Sequence, residues 1–401
     1  MNKVYILSAK RTAIGKFLGT IANVSAADLG ATVIKDILSE TKIDPALLDE
    51  VIVGNVLCAG QKQGIARQAS VKAGIPVEVP AYGINMICGS GMKSVLSAYN
   101  SIKSGEADLI LAGGTESMSG TGFVVGSGTR QGHKMGNMVA LDHMVCDGLT
   151  DAFTGVHMGI TAENIAEKYN ISREEQDSFS YKSQQKAIAA IDKGVFKEEI
   201  VPVVIESRKG TIVFDTDEFP NRASTPEKLA ALKPAFKKDG TVTAGNASGL
   251  NDGASFLLIA SEAMVNKLGI KPLAEIVATG QAGVDPNYMG MGPVPAIGNV
   301  LKKSGYKLSE IDLIELNEAF AAQSLAVIKE LCKEHNVTEQ WFMDRANVNG
   351  GALALGHPIG ASGNRIIVTL LHEMGRRNHK LGLASLCIGG GMGTSVILKM
   401  E

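Results

Sequence analysis

The chain has 401 residues, which is enough for two or three domains with large buried cores. Hydrophobic residues make up 45% of the chain and charged residues 20%, an ordinary composition for a globular protein. The 39 basic and 41 acidic residues give a formal net charge of -2, so neither nucleic acid nor an anionic membrane is indicated as a partner.

No run of about 18 apolar residues occurs, so we expect no membrane span. The N-terminal residues lack the apolar stretch and cleavage site of a secretory signal, and we expect a cytoplasmic protein. The five cysteines are widely spaced and odd in number, which favours free thiols over disulfides. No Cys/His spacing indicates a metal site.

The first part of the chain alternates between strand and helix patterns. Apolar runs predict strands over 4–9, 51–57 and 107–114, and apolar residues at helical spacing predict helices over 25–40 and 91–105. This rhythm is typical of mainly parallel strands with helices on their faces, so we predict an α/β fold.

The middle of the chain, roughly 118–248, has a different composition. It opens with a glycine-rich, weakly periodic stretch that predicts a loop. One convincing helix is predicted over 171–191, where Ser172 and Glu175 form a capping box. We expect this region to fold over the core as an inserted loop domain that shapes a binding site.

The C-terminal part repeats the strand and helix rhythm, with helices predicted over 295–305 and 361–375 and strands over 311–320 and 382–393. The two parts can be laid over each other. Asn55 then falls on Asn317, Gly91 on Gly363 and Gly113 on Gly389. A duplicated α/β domain explains this agreement, although any two α/β segments could align by rhythm alone.

Cys88 lies in NMICGSGMKS, at a predicted turn between a strand and a helix. The partial positive charge of a helix N-terminus would stabilise a thiolate there, and the flanking glycines would allow a substrate to approach closely. The segment alone slightly favours a buried structural cysteine, because free cysteines are among the most buried residues.

Three further residues lie in similar surroundings. His357, in a glycine-rich loop before a helix, could act as a general base or be an ordinary hydrogen-bonded loop histidine. Asn317 follows a strand, where sites in α/β folds occur, but asparagine is also a common turn residue. Cys387 precedes three glycines whose amides could form an oxyanion hole or a simple turn. Together with Cys88, these residues indicate nucleophilic acyl transfer in a cleft between two repeated halves.

Six motifs in order along the chain make the sequence similar to the thiolase family over nearly its whole length. They are NMICGSGM, GVHMGITAEN, TAGNASGLNDGA, ELNEAFAAQ, GGALALGHPIGASG and LCIGGGMG. The resemblance implies two βαβαβαββ halves in an α/β/α/β/α layered fold, with residues 1–262 and 270–401 as the halves and the loop domain inserted in the first. It also implies a homotetramer.

The resemblance also implies a reaction and roles for individual residues. The reaction is condensation of two acetyl-CoA molecules to acetoacetyl-CoA and CoA, and the reverse thiolysis, with no bound cofactor or metal. Cys88 would carry the acetyl group and His357 would accept its proton. Asn317 would hold a water, and Cys387 would remove the α-proton of the second acetyl-CoA. The amides of Cys88 and Gly389 would hold the acyl oxygen.

The resemblance places coenzyme A against the loop domain. Eight positions match residues that contact it in such enzymes: His157, Met158, Arg222, Ala244, Ser248, Met289, Ala319 and Phe320. The arginine that contacts the nucleotide is shifted by one place to Arg222, which puts the phosphate contact in doubt. Residues 332–342 look like a small insertion, and their polar composition predicts a surface loop.

Four other functions are weighed. A thiolase that cleaves longer 3-ketoacyl-CoA in fatty-acid oxidation is the nearest rival, and the volume of its pocket would differ. A β-ketoacyl synthase usually lacks a second catalytic cysteine, so Cys387 argues against it. A non-catalytic acyl-CoA carrier would not need Cys88 and His357. A dinucleotide-dependent oxidoreductase would carry GxGxxG after the first strand, and none is present.

Overall fold

A computed structural model describes residues 3–208 and 210–401 of the chain. The first half begins with strands and helices in alternation, as predicted. In chain order they are β1 (Val4–Thr12), β2 (Gly15–Lys16), α1 (Ala26–Thr41), β3 (Glu50–Gly54), α2 (Ile65–Lys72), β4 (Ala81–Ile84), α3 (Ser90–Ser104) and β5 (Leu109–Ser117).

A long excursion separates β5 from the last strand of the first half. It contains β6 (Phe123–Val125), β7 (Ala140–Asp142), α4 (Met158–Lys168), α5 (Arg173–Asp192), β8 (Ile200–Val201), β9 (Val203–Ser207), β10 (Gly210–Phe214) and α6 (Pro226–Ala230). The chain then returns to the sheet as β11 (Asn251–Ser261). The capping box at the start of α5 is confirmed, since Ser172 and Glu175 each bond the other's backbone N–H. Helix α4 was not predicted from the sequence.

The second half repeats the order of the first. After α7 (Glu262–Leu268) it consists of β12 (Ala274–Gly283), α8 (Pro293–Ser304), β13 (Leu313–Leu316), α9 (Ala321–His335), α10 (Glu339–Met343), α11 (Ala352–Leu355), α12 (Ile359–Arg377), β14 (Leu381–Ile388) and β15 (Met392–Met400). The predicted surface loop over 332–342 is wrong. Cys332 belongs to α9, and Phe342 in α10 is fully buried in the core.

The strands of both halves pair in the order β13-β14-β15-β12-β1-β11-β5-β3-β4, which is symmetric about the contact between β1 and β12. The predicted duplication is therefore confirmed, but one alignment within it is not. The residue two before Asn55 pairs with Gly113, whereas the residue two before Asn317 pairs with Ala384. Ala384, and not Gly389, corresponds to Gly113.

Helices α3 and α12 pack against each other between strands of the two halves, while α1 and α8 cover the outer faces. The layers therefore follow the order helix, sheet, helix, sheet, helix, with a separate apolar cluster under each helical layer. Gly91 and Gly363 lie where the central helices cross. A Cβ on Gly91 would lie 2.8 Å from the carbonyl oxygen of Gly360, and one on Gly363 would lie 2.6 Å from the amide nitrogen of Met92.

The symmetric packing brings the N-termini of α3 and α12, one from each half, to the same end of the molecule. Within the ranges described, no helix combines the length and apolar character needed to cross a bilayer.

Candidate active site

Cys88 lies at a sharp turn between β4 and α3, as predicted. Ile87, the residue before it, has φ of 46°, a left-handed conformation that is strained for a β-branched side chain. Ser90 holds the turn, because its hydroxyl accepts from the N–H of Met86 at 2.8 Å and donates to the carbonyl of Ile87 at 2.7 Å. The strained turn directs the Cys88 side chain into a cavity between the halves.

Burial of the Cys88 thiol opposes its ionisation and so acts against the stabilising effect of the helix N-terminus. Burial raises its pKa to about 11. The amides of Gly389 and of Cys88 itself point at the sulfur and oppose this shift, whereas the carboxylate of Glu116 adds to it. Because the desolvation is larger than the effect of the amides, Cys88 needs a base in order to attack a substrate.

His357 is oriented as such a base. Its Nδ1 lies 2.6 Å from the hydroxyl oxygen of Ser362, and that hydroxyl donates to the carbonyl of Pro358 at 2.9 Å. The serine proton is thus engaged elsewhere, so the serine oxygen accepts from Nδ1–H and leaves the lone pair on Nε2. Among the described residues Nε2 has no hydrogen-bond partner. Burial, together with the charge of Arg365, lowers the pKa of His357 to about 3, so the ring is neutral.

Cys387 is the second-last residue of β14 and is buried. Burial raises the pKa of its thiol, and the neighbouring Cys88 adds to the shift. Gly390 and Gly391, with φ of 81° and 84°, then turn the chain back into β15. The two cysteines, one from each half, therefore lie side by side.

Asn317 directly follows β13, and its backbone N–H donates to the carbonyl of Ser385 at 3.0 Å. The side chain is fully buried. Neither its amide oxygen nor its amide nitrogen has a hydrogen-bond partner within residues 3–208 and 210–401. An unpaired buried amide is costly, so Asn317 is suited to hold a water or a substrate oxygen.

The cavity that joins these groups has a volume of about 460 Å³. Cys88, His357 and Cys387 line it, but Asn317 and Gly389 are not among its lining residues. Seven of the eight predicted coenzyme A contacts also line it: His157, Met158, Ala244, Ser248, Met289, Ala319 and Phe320. Arg222 does not. It is exposed and forms an ion pair with Asp192, with 2.6 Å between nitrogen and oxygen.

The excursion supplies one wall of the cavity. His157 begins α4, where its Nδ1 accepts from the N–H of Gly159 at 3.0 Å, and its ring stacks on Phe236 with centroids 4.7 Å apart. Phe236 in turn contacts the edge of Phe320. The N–H of Ser248 donates to the carbonyl of Ala319 at 2.9 Å and joins this wall to the second half.

Several residues of the site escaped the sequence analysis. Ser362 lies in the motif GGALALGHPIGASG. Its position one helical turn after Pro358 could have indicated that it lies close to His357. Phe236 gave no signal, because nothing in its local sequence distinguishes it from a core aromatic residue. The apolar lining also includes Met118, Met144, Leu149, Phe219 and Ile359.

A second groove of about 780 Å³ continues the cavity, since Phe219, Ala244 and Leu250 line both. Lys16 and Lys228 lie along this groove. Glu218 also lines the groove and its carboxylate lies 3.9 Å from the Lys16 ammonium, which leaves Lys228 as the lining cation for an anionic ligand.

Comparison with known proteins decides the family of the chain. The model of the thiolase N-terminal domain matches residues 4–263, and the model of the thiolase C-terminal domain matches residues 270–400. The chain belongs to the thiolase family. Similar proteins include the acetyl-CoA acetyltransferase of Pseudomonas aeruginosa, which is 54% identical, with 100% of each chain covered.

Solved structures give the same result. This thiolase superposes on the acetyl-CoA acetyltransferase of Syntrophomonas wolfei with a TM-score of 0.97 and 41% identity, covering 100% of both chains. It superposes on human mitochondrial 3-ketoacyl-CoA thiolase in complex with CoA with a TM-score of 0.93 and 44% identity, covering 100% of this chain and 98% of the other. The thiolase fold implied by the sequence motifs is confirmed.

Proposed function

We propose that this thiolase is an acetyl-CoA acetyltransferase, which joins two acetyl-CoA molecules into acetoacetyl-CoA and CoA and also catalyses the reverse cleavage. The arrangement of three groups that line one apolar cavity carries the proposal. There a protonated nucleophile, Cys88, meets a neutral base, His357, and a second thiol, Cys387. The names of the full-length relatives support the same activity.

In the first step, Nε2 of His357 takes the proton of Cys88 as the sulfur attacks the carbonyl carbon of acetyl-CoA. The carbon–sulfur bond to CoA breaks, and the CoA thiolate takes a proton from Cys387. This leaves an acetyl thioester on Cys88, an imidazolium at His357 and a thiolate at Cys387. The amides of Cys88 and Gly389, which point at the sulfur in the resting protein, are suited to hold the acyl oxygen.

In the second step, the Cys387 thiolate removes the α-proton of a second acetyl-CoA. The enolate oxygen is held by the imidazolium of His357 and by a water on Asn317, whose buried amide is otherwise unpaired. The α-carbon then attacks the acetyl group on Cys88 and forms the new carbon–carbon bond. Cys88 leaves as a thiolate and recovers its proton from His357, so every proton is accounted for.

Coenzyme A would lie with its pantetheine arm along the wall of His157, Met158 and Phe236. The backbone bond between Ser248 and Ala319 shapes the same passage, which Ala244, Met289 and Phe320 complete. Its phosphates would lie in the second groove. Arg222 could contact them only if it left Asp192.

The test is CoA-dependent cleavage of acetoacetyl-CoA by the purified protein beside Cys88→Ser. Loss of acetoacetyl-CoA with the wild type and none with the variant supports the proposal. The same assay with 3-ketohexanoyl-CoA and longer substrates sets the chain length, and faster cleavage of these would favour the fatty-acid oxidation thiolase. Absence of cleavage and of acetyl labelling at Cys88 would refute the mechanism.

We propose further that the protein is a cytoplasmic homotetramer whose two halves span 1–262 and 270–401, and that it needs no bound metal or cofactor. The exposed apolar side chains of the excursion support association, since Phe123, Met135 and Val139 would otherwise face water. The five unpaired thiols support a reducing compartment. Light scattering of the purified protein tests the subunit count.

A further inference from the structure

Glu116 is a fully buried carboxylate in β5 that the mechanism above does not use. It accepts three hydrogen bonds from the loop after β3. The side-chain amide of Asn55 donates at 2.9 Å, and the backbone N–H groups of Val56 and Leu57 donate at 3.0 and 3.2 Å. Burial raises the pKa of Glu116 to about 7, and the backbone N–H groups of Val56 and Leu57 oppose the shift. Such a group costs stability unless it is well bonded, which suggests a function beyond folding.

The fourth bond of Glu116 crosses to the other half of the molecule. The backbone N–H of Gly360, in the first turn of α12, donates to the carboxylate at 2.9 Å. The contact is tight, because a Cβ on Gly360 would lie 2.6 Å from the Glu116 oxygen and 3.1 Å from the Cα of Asn55. Gly360 is three residues after His357. Glu116 therefore fixes the start of the helix that holds the catalytic imidazole.

The duplication of the fold shows what this contact corresponds to. Strand pairing makes Gly113 and Ala384 equivalent positions in the two halves. Glu116 and Cys387 each lie three residues further along the chain, so they are equivalent as well. Gly91 of α3 and Gly363 of α12 are also equivalent. Cys88 and Gly360 each lie three residues before them, so Gly360 is the counterpart of Cys88. The contact between Glu116 and Gly360 is thus the symmetry counterpart of the contact between the two reactive cysteines.

The same symmetry explains the unpaired amide of Asn317. In the first half, the corresponding Asn55 donates its amide to Glu116. In the second half the acceptor is replaced by Cys387, and the Asn317 amide is left without a partner among the described residues. In the first half the asparagine is bonded to the carboxylate, whereas in the second half the asparagine amide is available for a substrate or a water.

We infer that Glu116 is a positioning residue that locks the start of α12 to the first half and so holds His357 in register with Cys88. This inference rests on the proposed function for its effect on turnover. Two ionisable groups face Glu116 from neighbouring elements: Asp252 on β11 and the Cys88 thiol before α3. Its carboxylate also opposes ionisation of that thiol.

The experiment compares Glu116→Gln with Gly360→Ala. The glutamine keeps the shape but turns one acceptor into a donor that faces N–H groups. The alanine forces α12 away from an unchanged Glu116. We expect either change to lower kcat for acetoacetyl-CoA cleavage on the order of 10- to 100-fold, because a displacement of about 1 Å of a catalytic group has such effects. KM should stay within about twofold, since neither residue lines the cavity.

The pH dependence of Cys88 alkylation by iodoacetamide gives a readout that does not need turnover. Its midpoint should move to lower pH in Glu116→Gln, because a negative charge beside the thiol is removed, and should stay in place in Gly360→Ala. Thr115→Val is the matched control. It removes a buried 2.6 Å hydrogen bond to the Ala26 carbonyl from the adjacent residue of β5, and it should keep kcat.

An unchanged kcat in Gly360→Ala, or an equal loss of kcat in Thr115→Val, would overturn the positioning role. An alkylation midpoint that does not move in a folded Glu116→Gln protein would overturn the effect of the Glu116 carboxylate on the Cys88 thiol. If Glu116→Gln does not fold, Gly360→Ala decides alone. If the wild type cleaves no 3-ketoacyl-CoA, the proposed function fails, and the alkylation midpoint still tests whether Glu116 acts on the Cys88 site.

Discussion

The hydrogen bond from His357 Nδ1 to Ser362 is the contact that fixes the tautomer of the base, and Ser362→Ala removes it. The 2.6 Å bond is buried, so its loss leaves Nδ1–H unpaired in an apolar setting. That costs about 1–3 kcal/mol. The neutral ring can then carry its proton on Nε2, where it cannot accept from Cys88. At about 1.4 kcal/mol for each factor of ten, kcat should fall about 10- to 100-fold.

The assay is the rate of acetyl transfer from acetyl-CoA to Cys88 in a single turnover, followed by mass spectrometry. Ser324→Ala is the matched control, because Ser324 is also fully buried in a helix and its hydroxyl has no hydrogen-bond partner in the described part of the chain. It should acetylate at close to the wild-type rate. If Ser362→Ala does so too, the histidine tautomer is set by something other than Ser362 and the reasoning fails.

Three further predictions follow from the electrostatics. Because the pKa of Cys88 is raised to about 11, its alkylation by iodoacetamide should rise about tenfold per pH unit between pH 7 and 10, and a plateau reached by pH 8 would contradict this. Arg11→Met should lower the free energy of unfolding in urea by about 3–5 kcal/mol, because it strands the buried carboxylates of Glu199 and Asp217, whereas Arg222→Met should cause no measurable change. Lys228→Met should raise KM for acetyl-CoA by about tenfold, because Lys228 lines the groove, and Arg222→Met should raise it by less. A larger rise in KM for Arg222→Met than for Lys228→Met would restore Arg222 as the phosphate contact.

The candidate catalytic residues could be picked out because each leaves a local signal in the sequence. Cys88, His357 and Cys387 lie among glycines at the ends of strands or the starts of helices, and the turns there need glycine for steric reasons that a sequence displays. The capping box at Ser172 is equally local, since both partners are three residues apart. For the same reason, strand and helix periodicity placed β1, α1, β3, α3 and β5 in the first half and α8, β13, α12 and β14 in the second.

The failures arose where contacts are distant in sequence. Phe236 stacks on His157 across a wall whose two sides are far apart in the chain, so no periodicity predicts it. Over 332–342, polar residues outnumber apolar ones, yet Cys332 and Phe342 are buried on two helices. The ion pair of Arg222 with Asp192 could not be predicted either, because Asp192 lies on another element. The raised pKa of Cys88 could not be predicted, because helix position is visible in a sequence and desolvation is not.

A duplicated fold places equivalent groups in both halves, here Asn55 with Glu116 and Asn317 with Cys387. A single reaction requires the two sets of groups to differ. Two identical copies with a glutamate at both strand positions would place a buried charge beside the Cys88 sulfur and pair both asparagine amides. The replacement of the carboxylate by Cys387 removes that charge from the reacting side and leaves the Asn317 amide unpaired. The retained carboxylate, Glu116, gives the other side four hydrogen bonds. Because both sides share the central pair of helices, rigidity in the locked copy is transmitted directly to the reactive one.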